Sequence, residues 1–292
     1  MAHSRTLPAT LGLALGLVLA AGIARAQAVG PFEPGAQITP PGLTAADVAA
    51  LEAEGLDTNR PGVRLTIGAG PSYQPDYFGS DSYSLGGRGL FRFDFVRLPG
   101  GFEFGSSGPA GFLEGFGIRG AARYIGSRKA SNNSELRGLD NVDASIEAGL
   151  GLGYDAQYWR AYGTMSYGIT GHNSWVGELG ADGILRPNDN WVLSLGPRAY
   201  WGSDRFMNTY FGVTASEAAR SDFREYDPSS GFYALGAEFR ARYAFSPRWG
   251  LEGIATYNRL VNDAGDSPIT DVGSANQYGL SVVLTRSLSL GF

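Results

Sequence analysis

From about residue 63 to the C-terminus, apolar residues alternate with small or polar residues along most of the chain. Within 142–155, the even positions are apolar and the odd positions are polar or glycine. Successive side chains of a strand point to opposite faces, so this pattern predicts strands with one apolar face. The other stretches of this kind are 63–73, 83–95, 112–126, 158–170, 174–186, 190–201, 233–245, 248–260 and 276–292.

The lengths of these stretches and of their connections predict a membrane barrel. Each stretch has ten or more residues, whereas strands of soluble sheets usually have about five or six. Tight links at 155–157, 186–189 and 246–248 contrast with long links at 127–140, 202–229 and 261–275. We therefore predict an all-β, transmembrane antiparallel β-barrel of the outer-membrane type with ten long strands. A short hairpin within 96–116 would raise the number of strands to twelve.

The two ends of the predicted barrel domain, residues 61–292, support closure. The last strand is expected to pair with the first one, near 63–73, which would leave no exposed strand edge. Phe292 resembles the C-terminal aromatic residue that the barrel-insertion machinery recognises. Aromatic residues near the strand ends are typical of membrane-interface girdles; they are Trp159, Trp175, Trp191, Trp201, Trp249 and Tyr257. A soluble β-sandwich would explain neither the strand length nor the terminal residue.

The segment before the barrel predicts export. Residues 1–26 combine an early arginine, a short apolar stretch and an A-x-A ending, which are typical of a signal peptide, with an N-terminal anchor as the alternative. Residues 27–60 are rich in Pro, Gly and Ala, and we expect a periplasmic leader there. These features predict the outer membrane of a Gram-negative bacterium. The formal charge of −5 argues against a nucleic-acid partner.

The other face of the predicted strands carries charges of both signs. Arginine forks pair well with carboxylates in a confined space, so we expect a narrow or closed lumen filled by ion pairs. The residues expected to form this charge network are Arg119, Arg123, Glu147, Glu178, Glu238, Arg240, Arg242 and Glu252.

The sequence offers little for catalysis. After signal-peptide removal, His172 is the only histidine, and it lies two residues from Ser174. Such spacing is weak evidence for a nucleophile and its base, and a polar hairpin residue is the simpler interpretation. The chain contains no cysteine, so we expect neither a thiolate nucleophile nor a transition-metal site, and no cofactor.

The C-terminal third carries a family pattern. The segment "YFGVTASEAARSDFREY", followed by "WGLEGIATYNRLVNDAGDSPI", resembles the signature region of the MipA/OmpV family, the MltA-interacting outer-membrane proteins. Upstream, "GAGPSYQPDYFGSDSY" resembles the first strand and loop of that family. Asp222 departs from the pattern, since many relatives have glycine there. The matching signature-loop residues are Tyr210, Phe211, Gly212, Val213, Arg220, Ser221, Tyr226, Asp266, Ser267 and Pro268.

This resemblance implies a function without catalysis. The best-studied family member is described as a scaffold that links a membrane-bound lytic transglycosylase to a bifunctional murein synthase, and other relatives are described as porin-like or adhesive. The expected partners are therefore these two enzymes, together with outer-membrane lipid. A narrow pore is the first alternative, and an adhesin that acts through the aromatic loop 202–229 is the second.

Overall fold

The computed structural model describes residues 62–97, 103–105, 115–188, 190–246 and 248–291. The predicted signal peptide, the leader and Phe292 lie outside these ranges. No helix within them is long and apolar enough to cross a membrane.

The described chain consists mainly of strands, because the period-two pattern continues for ten or more residues at a time. They are β1 (Gly62–Pro75), β2 (Tyr83–Arg97), β3 (Glu103–Gly105), β4 (Gly115–Ile125), β5 (Ser145–Asp155), β6 (Trp159–Gly168), β7 (Trp175–Asn188), β8 (Trp191–Gly202), β9 (Gly231–Ala244), β10 (Trp249–Leu260) and β11 (Asn276–Gly291).

All of these strands belong to one antiparallel sheet. Its order is β3-β2-β1-β11-β10-β9-β8-β7-β6-β5-β4, so every neighbour except β1 and β11 is also adjacent in sequence. The first and last long strands pair from Gly62 opposite Gly291 to Tyr73 opposite Leu280. This pairing joins the two termini of the domain in the way that a barrel requires. Within the described residues the sheet ends at β3 and β4.

The prediction of an outer-membrane-type antiparallel sheet with ten long strands is confirmed. The expected pairing of the last strand with the first is also observed. Of the short hairpin considered between the second and third long strands, the structure describes the three residues of β3, paired with β2.

The two faces of the sheet differ as the sequence pattern predicts. On β11, Ser281, Val283 and Thr285 are buried in the lumen, whereas the intervening Val282 and Leu284 are exposed. On β5, Glu147 is buried while Leu150 and Leu152 are about two-thirds exposed. An apolar face turned outward along whole strands is unfavourable in water and favourable in lipid. The chain is therefore an outer-membrane protein.

Aromatic side chains in contact with other rings or with an arginine mark both edges of this apolar band. At one edge, Trp159 stacks on Tyr154 with ring centroids 5.3 Å apart, and Arg286 lies 5.2 Å above the ring of Trp249. At the other edge, the Tyr257 and Tyr278 centroids lie 5.2 Å apart. Trp249 and Tyr257 are eight residues apart on β10, which for a tilted strand corresponds to a height of about 20 Å, close to the usual apolar band.

The two ends of the barrel are built differently. Tight turns at 156–158, 189–190 and 245–248 connect strands at one end, which we call the turn end. Long connections at 126–144, 203–230 and 261–275 lie at the other, the loop end. In outer-membrane barrels the short turns face the periplasm and the longer loops face outward.

The long connections contain short helices. They are α1 (Asp204–Phe211), α2 (Ala215–Ala218), α3 (Asn262–Gly265) and α4 (Pro268–Asp271), together with 3-10 turns at Ala130–Asn132 and Ser134–Leu136. Helix α1 buries Phe206, Met207, Tyr210 and Phe211 on one face. These side chains pack against Tyr233 of β9 and Phe78 of the first loop. The loops therefore fold inward over the lumen, and we call this packed layer the loop cap.

Candidate functional site

The lumen below the loop cap is filled by buried charges. Near the loop end, Arg123 of β4 donates to both carboxylate oxygens of Glu147, at 2.6 and 2.7 Å. The same guanidinium donates to the Tyr233 phenol at 3.1 Å. Arg123 and Glu147 lie opposite each other in the β4–β5 register, so the sheet geometry itself brings the fork to the carboxylate.

A longer row of ion pairs continues toward the turn end. Arg160 lies 2.6 Å from Asp182, and Arg198 contacts Asp182 at 2.9 Å and Glu238 at 3.0 Å. Arg240 then joins Glu238 to Glu252 of β10. The carboxylates in this row are at most 3% exposed. We call Arg123, Glu147, Arg160, Glu178, Asp182, Arg198, Glu238, Arg240 and Glu252 the ion-pair network.

The structure places the predicted charge-network residues as follows. Arg123, Glu147, Glu178, Glu238, Arg240 and Glu252 belong to the ion-pair network. Arg242 lies on the same face of β9, closer to the turn end, where it lines a cleft. The Arg119 side chain lies outside the described residues. Arg160, Asp182 and Arg198 also belong to the network; the alternation along β6, β7 and β8 predicts all three on the lumen face, although they are not among the eight residues of the predicted charge network.

His172, which its sequence position predicts to be a polar hairpin residue, contacts the ion-pair network. It is 2% exposed, its Nε2 lies 3.0 Å from Glu147 Oε1, and its Nδ1 lies 2.6 Å from Ser174 Oγ. A Cβ on Gly168 would lie 2.4 Å from the ring, so glycine is required for this approach. Ser174 is itself buried. The histidine thus ties the β6–β7 hairpin to the ion-pair network.

The family-signature residues are spread through the loop cap. Val213 and Tyr226 form a two-residue antiparallel bridge, with N–H to O distances of 2.8 and 2.9 Å. Tyr226 donates through its phenol to the Asp263 carbonyl. Ser267 caps α4, which begins at Pro268, and donates to the Phe211 carbonyl at 2.6 Å. These contacts connect the 203–230 loop to the 261–275 loop.

The remaining signature residues have more local contacts. Tyr210 and Phe211 are buried in the cap, and a Cβ on Gly212 would lie 2.6 Å from the Asn208 carbonyl oxygen. Ser221 donates to the Glu217 carbonyl. Arg220 donates to the Gly138 carbonyl and forms an exposed ion pair with Asp140 at 2.6 Å. The Asp266 carbonyl accepts from Arg224. The signature therefore supports the packing of the cap.

Glu217 is a buried carboxylate within the loop cap. Its oxygens accept from the backbone N–H groups of Thr214 at 2.8 Å and Asp140 at 2.9 Å. Burial alone would raise the pKa of the Glu217 carboxyl, but these two donors hold it below its usual value. The capping-box spacing from Thr214 to Glu217 is the sequence signal that was available.

Arg128 closes the cap from the side of β4. It is 6% exposed, and its Nη1 donates to the Tyr210 carbonyl at 3.0 Å. Burial lowers the pKa of this guanidinium. A charged donor at the C-terminal carbonyls of α1 is favourable because it satisfies a group that the helix leaves unpaired.

At the turn end, a cleft opens into the lumen below the ion-pair network. Side chains of β1, β8, β9, β10 and β11 and of the turn between β9 and β10 line it. Glu252, the last carboxylate of the network, lies at its edge. We call it the turn-end cleft; its lining residues are Thr66, Asn190, Val192, Arg242, Tyr243, Ala244, Ser246, Arg248, Trp249, Gly250, Leu251, Glu252, Thr285 and Ser287.

No group of three or more metal-ligating side chains with metal-site geometry occurs among the described residues.

Part of the chain is similar in sequence to curated proteins that carry two different names. A segment of 150 residues is 29% identical to the "MltA-interacting protein" of Escherichia coli (strain K12), covering 49% of this chain and 57% of that protein. A segment of 152 residues is 28% identical to "Outer membrane protein Omp26La" of Vibrio anguillarum, covering 50% and 55%. The match thus spans little more than half the length of these curated relatives.

Among solved structures, the NanC porin gives a TM-score of 0.32 at 10% identity, covering 77% of this chain and 98% of the porin. A Pseudomonas aeruginosa FadL homologue gives a TM-score of 0.29 at 8% identity, covering 89% and 99%.

The family model described as "MltA-interacting protein MipA" matches residues 67–288. This match includes nine of the ten long strands in full or nearly so, the ion-pair network and the whole loop cap. The chain belongs to the MipA family of MltA-interacting proteins.

Proposed function

We propose that this protein is a non-enzymatic scaffold of the outer membrane that binds periplasmic peptidoglycan enzymes at its turn end. The first expected partner is a lytic transglycosylase, because relatives in the family are named for interaction with MltA. A bifunctional murein synthase is the second expected partner. Both would meet the barrel from the periplasm, which the tight turns face and where the leader 27–60 is expected to lie.

The observation that carries this proposal is the filled lumen. A solute that entered the lumen from the loop end would first meet the loop cap, in which Phe206, Tyr210 and Phe211 are at most 3% exposed. It would then meet the ion-pair network. Opening such a path means separating buried ion pairs, which costs several kcal/mol for each. A barrel filled in this way supports a role that depends on its surface more than one that depends on transport.

Packing in the loop cap explains why loop 202–229 is rich in aromatic residues, so an adhesive function is not needed to account for them. Phe206, Tyr210, Phe211 and Phe223 all point into the cap and are at most 9% exposed. The large aromatic surface that an adhesive loop would present is therefore used for packing.

The geometry around His172 also supports a non-catalytic role. A serine nucleophile needs space for its substrate, and Ser174 is 4% exposed beneath the cap. In addition, Glu147 is already occupied by the fork of Arg123.

The experiment is capture of partners after crosslinking in cells, comparing the full chain with a variant that lacks residues 27–58. Recovery of a lytic transglycosylase with the full chain, and its loss with the variant, would support the scaffold. A Phe223→Ala variant, altered only at the loop end, is the matched control and should capture the enzyme like the unmodified chain. Capture of neither enzyme by the full chain would contradict the proposal.

A narrow pore is a second candidate, favoured by the lumen wall of β1, β2, β10 and β11. Arg88, Gln74 and Asn258 are at most 6% exposed there, and Gln74 Oε1 and both Asn258 amide atoms lack a protein hydrogen-bond partner. Polar atoms of this kind are usually hydrated. Conductance across a planar bilayer that changes its ion selectivity in Arg88→Gln would favour the pore; a silent inserted barrel would favour the scaffold.

A further inference from the structure

Four tyrosines form one continuous surface on the lipid face, at the loop-end edge of the apolar band. Tyr83, Tyr73, Tyr278 and Tyr257 lie at the loop ends of β2, β1, β11 and β10, which are successive neighbours in the sheet. The Tyr73 and Tyr83 rings stack with their centroids 5.4 Å apart, and the Tyr257 and Tyr278 centroids are 5.2 Å apart. The Tyr278 N–H donates to the Tyr83 phenol at 3.1 Å, which joins the two pairs. We call these four residues the tyrosine patch.

One cationic side chain lies just outside the tyrosine patch. Arg259 follows Tyr257 by two residues on the exposed face of β10, so its Cα lies about 7 Å nearer the loop end. Opposite it on β11 is Asn276, whose Oδ1 accepts from the Tyr257 phenol at 3.0 Å and from Arg259 Nη1 at 3.3 Å. Among the described residues, no carboxylate lies within ion-pair distance of Arg259. The rest of its guanidinium fork is therefore available to an anion.

The charges around the tyrosine patch disfavour an anion that comes from solution. The loops at the loop end carry thirteen carboxylates and six cationic side chains over residues 76–82, 126–144, 203–230 and 261–275. The two loops that border the patch, 76–82 and 261–275, carry five carboxylates and neither lysine nor arginine. A freely diffusing anion is therefore repelled. An anion that belongs to a membrane lipid is instead held by its acyl chains at the interface, which is the level of the tyrosine patch and Arg259.

The width and the position of the tyrosine patch indicate the kind of lipid. Neighbouring strands lie about 4.8 Å apart, so a patch across four strands is about 14 Å wide. Such a surface is wide for the headgroup of one phospholipid and suits a sugar headgroup with several acyl chains. The loop end faces outward, and the outer leaflet of a Gram-negative outer membrane is lipopolysaccharide. Its lipid A anchor is a phosphorylated glucosamine disaccharide, and tyrosine, with an apolar ring and a polar tip, matches the boundary between acyl chains and sugar.

We propose that the tyrosine patch and Arg259 form a binding site for lipid A. Arg259 donates to one of the lipid A phosphates, and the tyrosine rings pack against the sugar and the upper part of the acyl chains. Asn276 is a positioning residue, because its amide oxygen holds the Arg259 guanidinium beside Tyr257. The site lies on the lipid face at the loop end, so it does not depend on the proposed binding of periplasmic enzymes at the turn end.

The barrel supplies a matched control for Arg259. Arg286 is also an exposed arginine on the lipid face, but it lies at the turn-end interface, over the ring of Trp249. Native mass spectrometry of the purified protein in detergent, titrated with lipid A that carries both phosphates, measures the affinity of the bound lipid. Arg259→Gln should weaken binding about fivefold to tenfold, because a charge-assisted hydrogen bond is lost. Arg259→Lys keeps the charge and should weaken binding by less than about threefold. Arg286→Gln should leave the affinity unchanged.

A change of lipid identifies the source of the phosphate. Lipid A without its phosphates should bind the unmodified protein about as weakly as phosphorylated lipid A binds Arg259→Gln. Phosphatidylglycerol should compete poorly, because it has a phosphate but no disaccharide to cover the tyrosine patch. Inorganic phosphate should not compete, since the acidic loops repel it. Retained heat-modifiable migration on a denaturing gel would show that each variant is folded.

Three results would overturn the proposal. The first is an equal loss of affinity in Arg259→Gln and Arg286→Gln, which would show attraction without a defined site. The second is undiminished binding of lipid A that lacks phosphate. The third is displacement of lipid A by an equal concentration of phosphatidylglycerol, which would show a surface for any anionic lipid. Because no partner protein is present in these measurements, none of the three results would bear on the scaffold proposal.

Discussion

Individual buried charges hold one another in place within the lumen. Arg198 is 3% exposed and contacts carboxylates on β7 and β9. Removing one member of such a group leaves its partners buried and uncompensated.

We predict that Arg198→Met lowers the free energy of unfolding by about 3–5 kcal/mol. Asp182 and Glu238 would each lose a buried counter-ion, while the volume of the side chain is nearly kept. The measurement is urea-induced unfolding in phospholipid vesicles. The exposed Lys129→Met is the control and should change stability by less than about 0.5 kcal/mol. A loss below about 1 kcal/mol in Arg198→Met would contradict the described network.

Glu217 provides a pH-dependent test of the loop cap. Its pKa is held below the ordinary 4.5, so its contribution to cap stability is complete above about pH 4.5 and is lost as the pH falls through the lowered value. The amides of Thr214 and Asp140 report this directly, because both donate to the carboxylate. The NMR shift of the Thr214 amide should titrate with a midpoint below 4.5, and this titration should be absent in Glu217→Gln. A midpoint at or above 4.5 would contradict the geometry.

At the element scale, each strand has a lumen face and a lipid face, and substitution should depend on depth. Val282 lies opposite Gly253, midway between the Arg286–Trp249 and Tyr278–Tyr257 pairs. We predict that Val282→Arg destabilises the barrel by about 2–4 kcal/mol, whereas Tyr278→Arg at the interface costs about 0–1 kcal/mol. Urea unfolding in vesicles measures both. Equal costs at the two positions would show that β11 does not cross the membrane as described.

The strands were the most predictable elements, for a physical reason. Alternation over ten residues leaves one register that turns Leu280, Val282 and Leu284 to lipid, and a slip by one residue would bury them in the lumen. The ion pairs are less predictable. The alternation along β6 and β7 predicts that Arg160 and Asp182 lie on the lumen face, but it does not predict which residues they contact.

The loop cap was the least predictable element. Its helices are short, and their packing depends on contacts between loops that are far apart in sequence, such as Ser267 to Phe211. Local propensity does not encode such contacts. The capping box from Thr214 to Glu217 is an exception, since its spacing is visible in the sequence.

At the scale of the whole molecule, the two ends have different structures and different charges. The loop end is packed and acidic, and the turn end opens into a cleft lined by arginines. In a barrel that is filled between these ends, the turn end is the surface that faces the periplasm. The scaffold proposal therefore places the partner at the tight turns and the leader.

The most direct measurement of that placement is site-specific photocrosslinking in cells, with the photoreactive residue at one end or the other. Gln157 and Ser246 sample the turn end, and Asp222 and Ser229 sample the loop end. We expect crosslinks to a lytic transglycosylase from the turn-end positions and none from the loop-end positions. Crosslinks to that enzyme from the loop end, or from neither end, would contradict that placement.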